Sequence, residues 1–77
     1  METLREKKPT ALETIRRGAG LSRKELGEIS GVNYRSIENY EQRRRPIDMA
    51  PVSIVLALAK ALDVPIEKIL DDEEVDT

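Results

Sequence analysis

The residues able to do chemistry in this 77-residue chain are few, because it contains neither histidine nor cysteine. Their absence removes the commonest general base, the thiolate nucleophile, thiolate and imidazole metal ligands, and any disulfide. What remains is mostly charge. Asp71-Asp72 and Glu73-Glu74 are paired carboxylates, groups that move protons or hold a hard cation when a pocket desolvates them. Residues 71–77 form an acidic tail with little to bury, so these carboxylates read as solvated and the chain reads as no enzyme. Arg43, Arg44 and Arg45 form the second conspicuous group. Three consecutive guanidiniums suit phosphate oxygens, although a basic loop also serves solubility. No metal site and no cofactor are expected.

The charges are unevenly spread. Residues 1–45 carry 11 Lys and Arg against 7 Asp and Glu, a balance of +4. Residues 46–77 carry 2 against 8, a balance of −6. The split reads either as two solvated surfaces or as a basic half that meets phosphate and an acidic half that faces away. No stretch reaches the roughly 20 apolar residues of a membrane span. Residues 1–8 lack the apolar run of a secretory signal, so a cytoplasmic location is expected.

Helices must position these groups. Aromatics are only 3% of the residues, with no Phe or Trp, and an aliphatic core of this kind suits a small helical bundle. Residues 1–9 read as a loose arm that Pro9 keeps from continuing a helix. Thr10, with Glu13 three residues on, opens a first helix, and Leu12 and Ile15 share its inner face. Gly18 and Gly20 end it. Ser22 and Glu25 make the same signal for a second helix, with Leu26 and Ile29 inward and Gly31 as its stop. Val32 follows as a buried hinge. Asn33 caps a third helix reaching about Gln42, whose inner face is Ile37 and Tyr40. Residues 43–50 read as loop. Pro51 starts a fourth helix with an apolar stripe of Val52, Val55, Leu58, Ala59 and Leu62. Val64-Pro65 interrupts, and Ile66, Ile69 and Leu70 make a short fifth helix. The expected domain spans residues 10–70.

Residues 23–42 thus hold a helix, a turn on Gly31-Val32 and a second helix, with Gly27 as the small residue where two helices cross. The ordered series Gly20-Leu21-Ser22, Glu25-Leu26-Gly27, Ser30-Gly31-Val32-Asn33, Ser36-Ile37 and Tyr40-Glu41 resembles the lambda-repressor-like, Xre-type (Cro/C1) helix-turn-helix family. The resemblance continues through Leu58-Ala59-Lys60-Ala61-Leu62-Asp63-Val64 and Ile66-Glu67-Lys68-Ile69-Leu70. Three features depart from that pattern. Gly27 stands where Ala is usual, Gln42-Arg43 replaces a terminating Asn-Gly, and the segment 43–50 is long.

The resemblance implies an all-α, five-helix fold whose third helix reads the major groove of double-stranded DNA. It further implies a transcriptional regulator, a repressor of bacterial or phage type. The positions that contact bases in the family fall on Tyr34, Arg35 and Asn39. Their chemistry agrees: Arg donates bidentately to guanine, Asn pairs with an adenine edge, and Tyr meets a thymine methyl or a phosphate. Arg23 at the start of the second helix, Asn33 at the cap of the third, and Arg43, Arg44 and Arg45 are expected on phosphates. Arg16 and Glu41 match a pair that ties the first helix to the third. A homodimer on a palindromic site is expected, with Ile66, Ile69 and Leu70 as the contact surface. The alternative is an antitoxin or adaptor that uses the fold mainly to hold another protein.

Overall fold

A computed structural model describes residues 8–70. Most of the sequence-predicted arm and the whole acidic tail lie outside these residues. Five α-helices follow in order: α1 Ala11–Gly18, α2 Arg23–Ser30, α3 Tyr34–Glu41, α4 Val52–Leu62 and α5 Ile66–Leu70. A short 3-10 turn, Ile47–Met49, lies between α3 and α4. No strand occurs among the described residues.

Local chemistry sets the helix starts. The Thr10 hydroxyl accepts from the Glu13 N–H at 3.1 Å, and Thr10 is itself buried. Ser22 and Glu25 form a reciprocal capping box: the Glu25 N–H donates to Ser22 Oγ at 3.0 Å and the Ser22 N–H to Glu25 Oε1 at 2.8 Å. Each cap of this kind stabilises a helix by about 1 kcal/mol. Asn33 Oδ1 accepts from the Arg35 N–H at 2.8 Å and opens α3.

Left-handed residues set the helix ends. Gly31 takes φ +80° after α2, a conformation that costs glycine nothing. At the end of α3, where the sequence lacks the usual Asn-Gly, Arg43 adopts φ +59°. The Arg43 N–H then reaches the Tyr40 carbonyl at 3.2 Å and the Arg44 N–H the Asn39 carbonyl at 2.9 Å. This pairing closes a helix in a Schellman motif, here without the glycine that normally makes it inexpensive. Asp63, also at φ +59°, closes α4 in the same manner just ahead of Pro65.

The helices enclose one aliphatic core. Leu12, Leu26, Ile37, Leu58 and Ile69 are fully buried, one from each helix, with Val32, Tyr40, Val55, Ala59 and Leu62 around them. Four expectations from the sequence need correction. Ile29, expected inward, is 58% exposed. It lies in the last turn of α2, and the bend at Gly31 brings Val32 into the core in its place. Val52, in the first turn of α4, is 71% exposed, and the buried stripe begins at Val55. Ile47 is buried although its segment reads as loop, because the 3-10 turn packs it beneath α5. Finally, Ile69 cannot belong to a contact surface with a second copy, since it fills the core; Ile66 is half-buried and only Leu70 keeps an exposed side chain.

Candidate nucleic-acid interface

The α2–turn–α3 unit is packed more closely than a side chain at position 27 would permit. A Cβ built on Gly27 would lie 2.9 Å from the Val32 carbonyl oxygen and 3.4 Å from Tyr34 Cβ. Glycine is therefore required by the close approach of the turn to α2, which outweighs its loss of roughly 0.8–1 kcal/mol in helix propensity.

A buried ionic cluster then fixes α3 against the first two helices. Arg16 Nε donates to Glu41 Oε2 at 2.7 Å and Arg16 Nη2 to Glu41 Oε1 at 3.0 Å. Its third nitrogen, Nη1, donates to the Leu21 carbonyl at 2.7 Å. Arg23 Nε donates to Glu41 Oε1 at 2.9 Å. The Glu41 side chain has 0% exposure and that of Arg16 8%. The hydrogen bond to Glu41 holds the Arg16 guanidinium above its ordinary pKa, against the opposing effect of burial. One carboxylate thereby links α1, α2 and α3, and sets how α3 is presented.

With Ile37, Tyr40 and Glu41 turned inward, the outer face of α3 carries Arg35 and, four residues on, Asn39. Tyr34 starts the helix half-exposed, between two cations. Lys24 Nζ lies 5.8 Å and Arg35 Cζ 5.9 Å from its ring centroid, within cation–π range. The hydrogen bond with Tyr34 is also the main cause that raises the Arg35 pKa above its ordinary value. Arg17, Ser22, Arg23, Lys24, Tyr34 and Glu38 line an open groove between the end of α1 and the starts of α2 and α3. A groove lined by the cationic side chains of Arg17, Arg23 and Lys24, near a helix N-terminus, suits an anion.

Two helices joined by a tight glycine turn, with the second clamped from behind and polar in front, match the family description. Residues 12–69 fit the family model described as helix-turn-helix. The chain belongs to the lambda-repressor-like helix-turn-helix family. A solved structure with this fold is the restriction-modification controller protein C.AhdI from Aeromonas hydrophila. It matches with a TM-score of 0.69 and 27% identity, over 77% of this chain and 85% of that one. The comparison with curated proteins found no match. This helix-turn-helix protein is accordingly a DNA-binding transcriptional regulator.

The site residues expected from the sequence fall in three places on this helix-turn-helix unit. Arg35 and Asn39 share the outer side of α3, whereas Tyr34, its first residue, stands on the side toward α2, beside Gly27 and Lys24. Arg16 and Glu41 form the expected pair, and Arg23 joins it, which the sequence reading did not foresee. Arg23 is thus half-buried and anchored by Nε. The Asn33 side-chain oxygen is used as a cap, which leaves its amide nitrogen as the donor for any anion. Arg44 and Arg45 are exposed beyond the end of α3, with Arg44 bonded to Asn39, and Arg43 Nη1 donates to the Lys8 carbonyl at 2.8 Å. Two residues were missed. Lys24 stands beside Tyr34, a placement its neighbour Arg23 at the start of α2 signals. Gln42 is exposed three residues after Asn39, on the same face. No group of three acidic residues among the described residues is arranged to hold a metal ion. None of the helices in this span is long and apolar enough to cross a membrane.

Proposed function

We propose that the protein is a sequence-specific repressor, of bacterial or phage type, that reads double-stranded DNA with α3. The observation that carries this is the two-faced construction of α3: Ile37, Tyr40 and Glu41 lock one side, leaving Arg35 and Asn39 on the other. Arg35 suits the O6 and N7 acceptors of guanine, and Tyr34 a thymine methyl or a flanking phosphate. Arg23 and Asn33 border the start of α3, and Arg43, Arg44 and Arg45 follow its end; these are the phosphate contacts that orient the helix. The role of C.AhdI as a restriction-modification controller protein supports the regulatory part of this reading.

The protein acts as a homodimer, because one eight-residue reading helix buries too little surface for specificity alone. The Ile66, Ile69 and Leu70 surface is replaced in this reading by Met49, Val52 and Leu56, which are 77%, 71% and 47% exposed. They flank the buried stripe of Val55, Leu58, Ala59 and Leu62, so the apolar surface of α4 extends beyond what the core covers, the pattern of a helix with a second partner. A second copy covers it and places two α3 helices on a rough palindrome, with half-site centres about 10–10.5 base pairs apart or a multiple of that. The same patch favours a second reading, an antitoxin-like or adaptor role in which a different protein occupies it.

Selection of binding sites from random duplex DNA, with sedimentation of the free chain, tests both. Enrichment of a palindrome and a dimer that Val52→Lys dissociates are expected. No enrichment refutes the repressor. A monomer that binds one unrepeated element refutes the dimer, and a monomer with no DNA affinity turns the reading toward the adaptor.

A further inference from the structure

Asn39 stands on the outer face of α3, and its side chain is already engaged. Its Oδ1 accepts from Arg44 Nη1 at 3.3 Å. The two residues are also joined through the main chain. The Arg44 N–H donates to the Asn39 carbonyl at 2.9 Å, and the Arg45 N–H reaches the same oxygen at 3.3 Å. Both bonds follow from left-handed Arg43, which turns the chain back over the last turn of α3. The contact between the side chains therefore rests on a fixed backbone closure, not only on two exposed rotamers meeting.

The chemistry of the two groups fixes the orientation of the amide. A guanidinium has donors and no acceptor, so Asn39 must turn its oxygen toward Arg44 and its Nδ2 group away. Asparagine reads adenine with both ends, accepting from the N6 amino group and donating to N7. With Oδ1 held by a cation, Asn39 presents its donors. Guanine places two acceptors side by side in the major groove, N7 and O6, and has no donor there.

We propose that Arg44 is a specificity-determining residue: by holding Oδ1 of Asn39 it converts Asn39 from a reader of adenine into a reader of guanine. Arg44 acts here as a positioning residue, through Asn39 and not through a base of its own. The inference rests on the reading of α3 as the recognition helix.

The test is binding-site selection with the wild type, Asn39→Ala and Arg44→Ala. Arg44 is exposed, so its replacement leaves the core untouched. Asn39→Ala should flatten the preference at one base pair, which identifies the pair that Asn39 faces. The wild type should select guanine there, and Arg44→Ala should select adenine there by about tenfold or more, with the other positions unchanged. A uniform loss of affinity with an unchanged profile would make Arg44 a phosphate contact only and overturn the proposal, as would adenine selected by the wild type. A readout without DNA separates this from failure of the recognition-helix reading. In the free protein, the side-chain amide resonances of Asn39 should shift in Arg44→Ala while the backbone spectrum away from residues 39–45 is retained. If no sequence is enriched by any variant, the recognition-helix reading falls; if the amide resonances do not move, the Arg44 contact itself falls.

Discussion

Glu41 holds Arg16 with both carboxylate oxygens, Oε2 at 2.7 Å from Nε and Oε1 at 3.0 Å from Nη2, with both side chains nearly excluded from water. Glu41→Ala would leave a buried guanidinium with only the Leu21 carbonyl as partner. Unfolding in urea should show a loss of about 3–5 kcal/mol, whereas Arg16→Met combined with Glu41→Leu should cost less, because the cation then left without Glu41 is Arg23, which water still reaches. A loss below about 1 kcal/mol for Glu41→Ala would mean that water reaches the pair. The raised pKa of Arg16 adds a sign. A cation whose folded pKa is raised contributes stability that is complete below its unfolded value and lost only as pH rises through the folded value. The cluster should therefore make no pH-dependent contribution through Arg16 between about pH 6 and 9, since that window lies wholly below both values.

Gly27→Ala should destabilise the protein even though alanine is the better helix former. The added Cβ meets a backbone oxygen at 2.9 Å, which cannot rotate aside. Overpacking of this kind costs about 1–3 kcal/mol, against a gain of roughly 0.8–1 kcal/mol from helix propensity. Thermal unfolding decides the sign: a higher midpoint for Gly27→Ala would show that the turn moves away from α2 without penalty.

Arg43 occupies a left-handed position that a β-branched residue tolerates worst. Arg43→Val should be less stable than Arg43→Gly by about 1–2 kcal/mol, a difference in backbone strain that does not depend on the side-chain contacts both variants lose. Equal denaturation midpoints for the two would indicate that the closure of α3 does not need that conformation.

Arg35 and Arg45 should separate by what their loss does to specificity. Arg35→Ala should lose about 1–3 kcal/mol on the selected site and relax the preference at one base pair. Arg45→Ala should weaken all duplexes about equally and lower the slope of log affinity against log salt by about one unit. Titrations against the selected and a scrambled duplex at several salt concentrations measure both. A changed base preference in Arg45→Ala with none in Arg35→Ala would reverse the assignment.

Ser22 with Glu25, Gly31, and the apolar positions Leu12, Leu26, Ile37 and Leu58 make the order of helices legible in the sequence, and the structure follows it. These signals act within one helical turn, where a cap or a left-handed glycine is decided by its immediate neighbours. The likeness to a known family extended that reach to the pairing of Arg16 with Glu41. Burial and long-range contact were decided elsewhere. Ile29 and Ile47 exchange the roles that spacing suggests, Arg23 adds a second arginine to Glu41, and Arg44 reaches Asn39 only because Arg43 turns left-handed. In each case the outcome depends on which segment arrives to cover or bond a side chain, and periodicity along one helix carries no information about that neighbour. Caps, periodicity and the family likeness were enough to specify five helices, a regulator and a polar outer face on the third helix. Which of those polar groups are already bound to each other and which are left to meet DNA came from the folded chain, because that division depends on where separate segments are brought together.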